Sequence, residues 1–466
     1  MNDVTNVKSV KSVPQQGSPA RRARVQLVAA AIGATLGLPQ VSAASPVANA
    51  VPVKAVQTPG MPPPQQQTYT AELPDSVTLQ EVFDLVRSRS PRYKAYEAEI
   101  DVAKSEVTAA RVLPNPTLSL SILYLNVGFN QNGVATYYAN ATLPILIAGQ
   151  RRARVKTADY GVRSAEADLK ANYHELAYEA RELFIELQAD QARVKVLDEA
   201  LADLARLEGI VGARKQSGVE TDYDTLRINV ETSTWKARRA EEEAAAQDTA
   251  GRLGVLLGIP SWYPAAEGEL RQMGLRGDAD QMWPDVEKSQ PRIVAATKYE
   301  AYATKNIDLS KRERWPVPSI TAGTVAIQNY YSISTQVGIT VPIPMFDWGQ
   351  GIMAQANARS QRAKREREAV VASTQAELKR ALRLLEHRRN ALATFELDVL
   401  SKLPTMKQMA EDSFRAGQSQ LIELLDATRA RFEVKLTQVD MLEAVVQAEV
   451  DVLAVTGRIE ETGGGR

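Results

Sequence analysis

Leu113-Pro114-Asn115-Pro116, continued by Thr117-Leu118-Ser119-Leu120, returns later in the chain as Trp315-Pro316-Val317-Pro318, continued by Ser319-Ile320-Thr321-Ala322, at an offset of 202 (316 − 114). Three further anchors return in the same order. Ser90-Pro91-Arg92 becomes Gln290-Pro291-Arg292. Leu143-Pro144-Ile145 and Gly149-Gln150 become Val341-Pro342-Ile343 and Gly349-Gln350, and Arg214-Lys215-Gln216-Ser217-Gly218 becomes Phe414-Arg415-Ala416-Gly417. Four ordered matches at nearly the same spacing, offsets of 198 to 202, describe a tandem duplication of a unit of roughly 200 residues.

Within each unit the period of the apolar residues changes. A first helix is expected from about Thr78 to Val112, ended by Pro114, because proline lacks a donor and its predecessor avoids helical ψ. Then the period becomes two. Leu118, Leu120, Ile122 and Tyr124 alternate with Thr117, Ser119, Ser121 and Leu123; Ala135, Tyr137, Ala139 and Ala141 alternate with Thr136, Tyr138, Asn140 and Thr142. The second unit repeats the plan: Ile320, Ala322, Thr324 and Ala326 against Ser319, Thr321 and Gly323, then Ile333, Thr335, Val337, Ile339 and Val341 against Ser332, Ser334, Gln336, Gly338 and Thr340. This pattern predicts strands at about 117–127, 134–143, 318–328 and 331–341, each with one apolar and one small, hydroxylated face. A soluble sheet with one wet face fits the alternation. So does a bilayer-crossing sheet, since about 9–11 tilted residues cross the hydrocarbon. Tyr124, Phe129, Tyr137, Tyr138, Tyr330 and Tyr331 gather near the turns, as an interfacial girdle does. Four strands cannot close a barrel, and open edges are intolerable in lipid, so the crossing reading requires further copies of the chain.

After Gly149 and Gly349 the pattern predicts continuous helices to about Ala213 and Ala416, each on the order of 100 Å long. Heptad-like stripes support them: Val194, Leu197, Leu201, Leu204 and Val211; Leu385, Leu392, Val399 and Met406; Leu425, Phe432, Val439, Val446 and Leu453. Pro404 is expected to kink the second long helix near its far end.

Composition closes off other chemistries. With no Cys there is no disulfide, thiolate or cysteine-linked lipid, and the 56 basic and 56 acidic residues leave no cationic footprint for nucleic acid. His174 and His387 stand alone in helical stretches without metal-ligand spacing, and no phosphate loop, nucleophile elbow or HExxH occurs, so neither a catalytic residue nor a bound metal or cofactor is expected. At the start of the chain Arg21, Arg22 and Arg24 precede an apolar stretch from Val25 to Leu38 and the small residues Val41-Ser42-Ala43, the layout of a secretory signal over residues 1–43. Residues 44–75, rich in Pro and Gln, read as a disordered spacer. The first repeat is expected at 76–260, a linker or equatorial segment at 261–284, the second repeat at 285–457 and a flexible tail at 458–466.

Signal, duplicated unit, paired strands and long helices together resemble the TolC-like outer membrane factors, the exit ducts of tripartite efflux and secretion systems. Arg415-Ala416-Gly417-Gln418-Ser419-Gln420-Leu421-Ile422-Glu423-Leu424-Leu425-Asp426-Ala427-Thr428 is similar to that family's hairpin tip, and Ser217-Gly218-Val219-Glu220-Thr221-Asp222-Tyr223-Asp224-Thr225-Leu226 is its first-unit counterpart. The resemblance implies an α+β membrane protein. Three chains of four strands would form a 12-stranded outer-membrane β-barrel, continued by a long α-helical coiled-coil barrel in the periplasm of a Gram-negative cell. It implies a passive efflux conduit, a homotrimer, that works with a periplasmic adaptor and an inner-membrane pump of the RND class. The tips at Ser217, Gly218, Val219, Gly417, Gln418 and Ser419 would dock the adaptor, with Ser217 and Ser419 free to cap helix ends. The family's aperture acids fall on Asp224, Glu423 and Asp426, where threefold symmetry makes acidic rings that collect cations; the plainer role for each is to stabilise a helix N-terminus. The family's basic partner past the second glycine is Ser419 here, which leaves Arg415 or Arg429 to take its place. Leu113–Pro116 and Pro342–Gly351 resemble members serving heavy-metal efflux. Drug efflux, type I protein secretion and a barrel-less periplasmic coiled-coil adaptor are the alternatives.

Overall fold

The computed structural model describes residues 73–124, 135–216, 221–328 and 332–461. The expected signal, nearly all of the spacer, the turn aromatics Phe129, Tyr330 and Tyr331, and the tip residues Ser217, Gly218 and Val219 lie outside the described residues. The first repeat contains β1 (Ser76–Val77), α1 (Leu79–Arg89), α2 (Pro91–Arg111), β2 (Thr117–Tyr124), β3 (Ala135–Pro144), α3 (Gln150–Gln216) and α4 (Asp222–Leu256). After β4 (Ala265–Ala266) the second contains α5 (Ala279–Ser289), α6 (Pro291–Glu313), β5 (Ser319–Ile327), β6 (Ser332–Thr340), α7 (Gln350–Asp398), α8 (Leu403–Arg415) and α9 (Leu421–Thr456).

The single helix expected from Thr78 to Val112 is two helices. Pro91 occupies the first turn of α2, where its missing N–H costs nothing, and Ser90 between the helices turns its hydroxyl onto the Leu256 carbonyl at 3.1 Å. Gln290 and Pro291 break the second repeat in the same way. α5 begins at Ala279, inside the stretch read as linker.

The four long strands form one antiparallel sheet in the order β2-β3-β5-β6, so the two repeats meet along β3 and β5. Its register runs Ile122↔Tyr137↔Ala326↔Ile333, which puts the apolar set of every strand on one face. The other face carries Ser119, Asn140, Gly323 and Gln336 in one row, and Thr142 and Thr321 share a hydroxyl–hydroxyl hydrogen bond of 3.0 Å there. Tyr137 stands on the apolar face with Tyr124, but Tyr138 pairs with Ser121 and Val325 on the hydroxylated face, so a lipid-facing girdle does not include it. Among the described residues β2 and β6 are edge strands without a partner. Among the described residues no helix is long and apolar enough to cross a membrane.

α3 has 67 residues, about 100 Å of helix, and packs against α2, α4, α6 and α9. Its stripe Leu197, Leu204 and Val211 is buried with Ile228, Trp235, Phe414, Leu421 and Phe432 in a core close to the tips. A second core joins Val82 and Val86 to Leu176, Leu183, Leu187 and Leu253. Burial of each such side chain contributes about 1.5–3 kcal/mol. Ala177, Ala180, Ala381 and Ala448 are buried as well, and their small side chains let neighbouring helices approach closely.

The second long helix is not continuous. α7 stops at Asp398, a 3-10 turn spans Leu400–Lys402, and Pro404 lies in the first turn of α8. The kink expected at Pro404 is therefore a full interruption just before it. Val399 and Met406, expected on the buried stripe, are only half-buried there.

The segment read as a tail and the one read as a linker are both held by specific contacts. Ile459 is 3% exposed and its carbonyl accepts from Arg181 at 2.5 Å, so the tail read as flexible from residue 458 is ordered at its start. In the linker the amides of Met273, Gly274 and Leu275 all donate to the carboxylate of Glu449, at 2.6, 2.8 and 3.2 Å. Arg389 adds a fourth donor to Glu449 at 2.9 Å, which satisfies a carboxylate with no exposure to solvent.

Candidate aperture and docking tips

Each repeat contains a helical hairpin, and the described residues at the two hairpins are held by different chemistry. At the first, Thr221 caps α4: its hydroxyl accepts from the Asp224 amide at 3.3 Å while the Asp224 carboxylate accepts from the Thr221 amide at 3.0 Å. That is a capping box, with both open donors at the helix start satisfied. Lys215 at the end of α3 meets Asp222 at 2.5 Å and holds its carboxyl below the usual carboxylate range, chiefly by hydrogen bonding. Asp224 thus performs the plainer of its two expected roles, and Tyr223 and Leu226 beside it are exposed.

The second hairpin closes by backbone alone. Gly417 has φ of +70°, its amide donates to the Phe414 carbonyl at 3.1 Å, and the Gln418 amide donates to Ser413 at 2.9 Å. This pair of bonds is the Schellman closure, which needs a left-handed residue at the glycine position. Ser419 does not cap α9 as expected; Gln420 is the N-cap residue without a side-chain bond, and the Ser419 hydroxyl is buried with no partner. Ser419 instead lines a cavity of about 730 Å³ with Lys402, Met406, Met409, Ser413 and Glu423, in the recess made by the interruption before α8.

Glu423 and Asp426 lie three residues apart in the first turns of α9 and both are exposed. Neither makes a side-chain hydrogen bond or salt bridge with another described residue. Both are thus open to solvent at the tip, whereas Asp224 is engaged at its own helix start. The two arginines suggested as their partners are occupied. Arg429 clasps Glu231 of α4 at 2.5 and 3.1 Å, and Arg415 lies beside Glu411 and Asp412 on its own helix.

Sequence reading missed the contacts that bind the tips to the rest of the molecule. Asp203 on α3 receives Arg431 of α9, Lys407 of α8 at 3.2 Å and Arg206 at 3.4 Å, and Glu411 of α8 receives Arg206 at 2.7 Å. Trp235 and Phe432 pack edge to face, with ring centroids 6.0 Å apart. Asp203 had no distinguishing signal, being one acid among many on charged helices; its partners Lys407 and Arg431 lie 204 and 228 residues away in sequence.

Comparison with known proteins agrees with this architecture. The family model described as "Outer membrane efflux protein" matches residues 82–258 and 284–458, once per repeat. The chain is 24% identical over 392 residues to the cobalt-zinc-cadmium resistance protein CzcC of Cupriavidus metallidurans, covering 84% of this chain and 92% of that one. Among solved structures, CusC superposes with a TM-score of 0.66 at 16% identity, covering 81% of this chain and 91% of that chain. The outer membrane protein VceC of Vibrio cholerae superposes with a TM-score of 0.65 at 16% identity, covering 82% and 97%.

Proposed function

The chain belongs to the outer membrane efflux protein family, whose place is the outer membrane, and from that premise we propose that it is a passive exit channel for divalent metal cations. The observation that carries the channel reading is the sheet. Its apolar face suits lipid, its hydroxylated face suits a water-filled lumen, and among the described residues its edges β2 and β6 both lack a partner. Edges exposed to hydrocarbon are excluded on energetic grounds, so β6 of one copy pairs with β2 of the next. Three copies give twelve strands, and α3, α4, α7 and α9 continue the wall as a helical tunnel.

Nothing in this duct needs to perform chemistry. Substrate descends its gradient through water, and a pump in the inner membrane supplies the energy through an adaptor docked at Gly417, Gln418 and Ser419 and at the first hairpin's Ser217, Gly218 and Val219. Glu423 and Asp426, exposed at the tip, become acidic rings under threefold symmetry and raise the local cation concentration at the aperture. The similarity to a cobalt-zinc-cadmium resistance protein supports metal cations as the cargo.

Deletion of the gene is expected to lower tolerance to cobalt, zinc or cadmium. Unchanged metal tolerance with lost drug or peptide export would overturn the cargo while leaving the channel. In planar bilayers, Glu423→Ala with Asp426→Ala is expected to reduce cation selectivity; unchanged selectivity would remove the aperture assignment.

A further inference from the structure

Where the sheet passes into the helices, the connection after β6 carries Ile343, Met345 and Phe346 at 79%, 75% and 90% exposure, with Trp348 also exposed. Apolar side chains this open usually belong to mobile segments, yet this one is braced. The Gln350 side chain accepts from the Trp348 amide at 2.9 Å and donates to the Phe346 carbonyl at 3.0 Å, and Asp347 accepts from the Gly349 amide at 2.9 Å. Gly349, at φ of +83°, lies so close to Arg314 that an added Cβ would fall 2.5 Å from the arginine's own Cβ. The loop is thereby pinned beside Arg314.

The same level carries an excess of cations. Arg111 ends α2, Arg151 and Arg152 begin α3, and Arg312 and Arg314 end α6; all five are exposed. Among the described residues none of the five has a carboxylate within salt-bridge distance, in a chain whose helices are otherwise laced with ion pairs. Of the nearby acids, Glu313 is held by Arg154 at 2.6 Å and Asp347 is spent within its loop. Helix-end stabilisation accounts for Arg111 and Arg312 but not for Arg151 and Arg152, which stand at the positive end of α3 in a first turn with no acid.

We propose that this junction is a collar that binds anionic phospholipid headgroups, the guanidinium groups taking the phosphates and the Ile343–Trp348 loop seating among the acyl-chain roots. The inference rests on the barrel reading, which puts the junction at one membrane interface, where aromatic and basic side chains are favoured. The loop continues directly from the lipid-facing strand β6, which makes lipid its nearest apolar neighbour. Neighbouring copies cannot neutralise the collar. Around a threefold axis each brings the same surplus of arginines to the same level.

The test uses the full-length purified protein reconstituted in vesicles of phosphatidylcholine with and without phosphatidylglycerol, and reads lipid retained on the protein by native mass spectrometry. Wild type is expected to retain phosphatidylglycerol preferentially, and Arg151→Gln, Arg152→Gln and Arg314→Gln together to lose that preference, by about fivefold per charge removed. Brominated lipids are expected to quench tryptophan emission less in a variant with Trp315→Phe and Trp348→Phe. Equal retention of both lipids by wild type, or quenching unaffected by the tryptophan replacements, as when neighbouring copies cover the loop, overturns the collar. A protein that inserts and conducts without a phosphatidylglycerol preference overturns the collar alone; one that fails to enter vesicles overturns the barrel reading as well.

Discussion

The two repeats share one plan and differ at both ends of their long helices. In the first, α3 runs unbroken for 67 residues; in the second, the corresponding stretch stops at Asp398 and resumes as α8 after a 3-10 turn. At the other end, the braced, exposed Phe346 loop of the second repeat answers a shorter connection in the first, where the Ile145 amide is paired with the Pro318 carbonyl at 2.8 Å. Between these ends the repeats pack against each other, α3 against α6 and α9. The two repeats thus differ most at the connection from sheet to helix and in the long helix that leads to the second tip.

Replacements at equivalent depths in the two hairpins can break or sharpen this contrast. The largest effect is expected for Trp235→Ala, which empties the shared core against Phe432 and should cost about 3–5 kcal/mol in thermal unfolding followed by circular dichroism. An equally large loss from Ala at an exposed tip residue such as Tyr223 would deny that this core ties the hairpins together. Next comes Ala205→Pro in the unbroken α3, at about 3 kcal/mol or more, because it removes a hydrogen bond and clashes with the preceding turn. Pro404→Ala in the interrupted partner should stay within about 1 kcal/mol, since a proline in the first turn gives up nothing. Equal costs at the two sites would mean the interruption is not the real difference between the repeats.

The caps give the third contrast. Thr221→Ala is expected to lose about 1 kcal/mol with its capping box. Ser419→Ala is expected to be neutral or slightly stabilising, because it removes a buried hydroxyl that has no partner. A loss at Ser419 matching that at Thr221 would show that the second tip is capped after all. The smallest effect concerns His174, whose Nε2 lies 2.7 Å from the Ala454 carbonyl oxygen and donates to it. Burial, the largest influence, holds its pKa below the ordinary imidazole value. The neutral ring is favoured by the fold, so its contribution is present above about pH 6.5 and lost as the pH falls. His174→Asn should flatten that part of the stability profile, and an unchanged slope there would reassign it to other groups.

Much of this architecture was legible because it is written in periods. Alternation from Leu118 to Tyr124 and from Ile333 to Ile339 predicts which face of the sheet is apolar, and the register agrees residue by residue. The doubling of Pro91 as Pro291 coincides with the helix breaks, although the stretch from Thr78 to Val112 reads in sequence as a single helix. Tertiary charge pairing was not legible. Glu449 lies on α9 among many acids, and only the folding of Met273–Leu275 over it makes it a buried anchor. Asp203 is silent for the same reason, because a charge on a helix carries no mark of which distant element will cover it. The Ser419 cap failed because the backbone closure at Gly417 had already turned the chain.

The central claim is that copies of this chain complete one another's sheet. Because the chain contains no cysteine, pairs can be introduced without background: Ser119→Cys or Ser121→Cys on β2 together with Ser334→Cys, Gln336→Cys or Gly338→Cys on β6. The account predicts that at least one pair, oxidised in outer-membrane fractions, yields a covalent trimer on non-reducing gels that reduction returns to monomer. Monomer at every pair, with the protein recovered from the soluble periplasm, would contradict it.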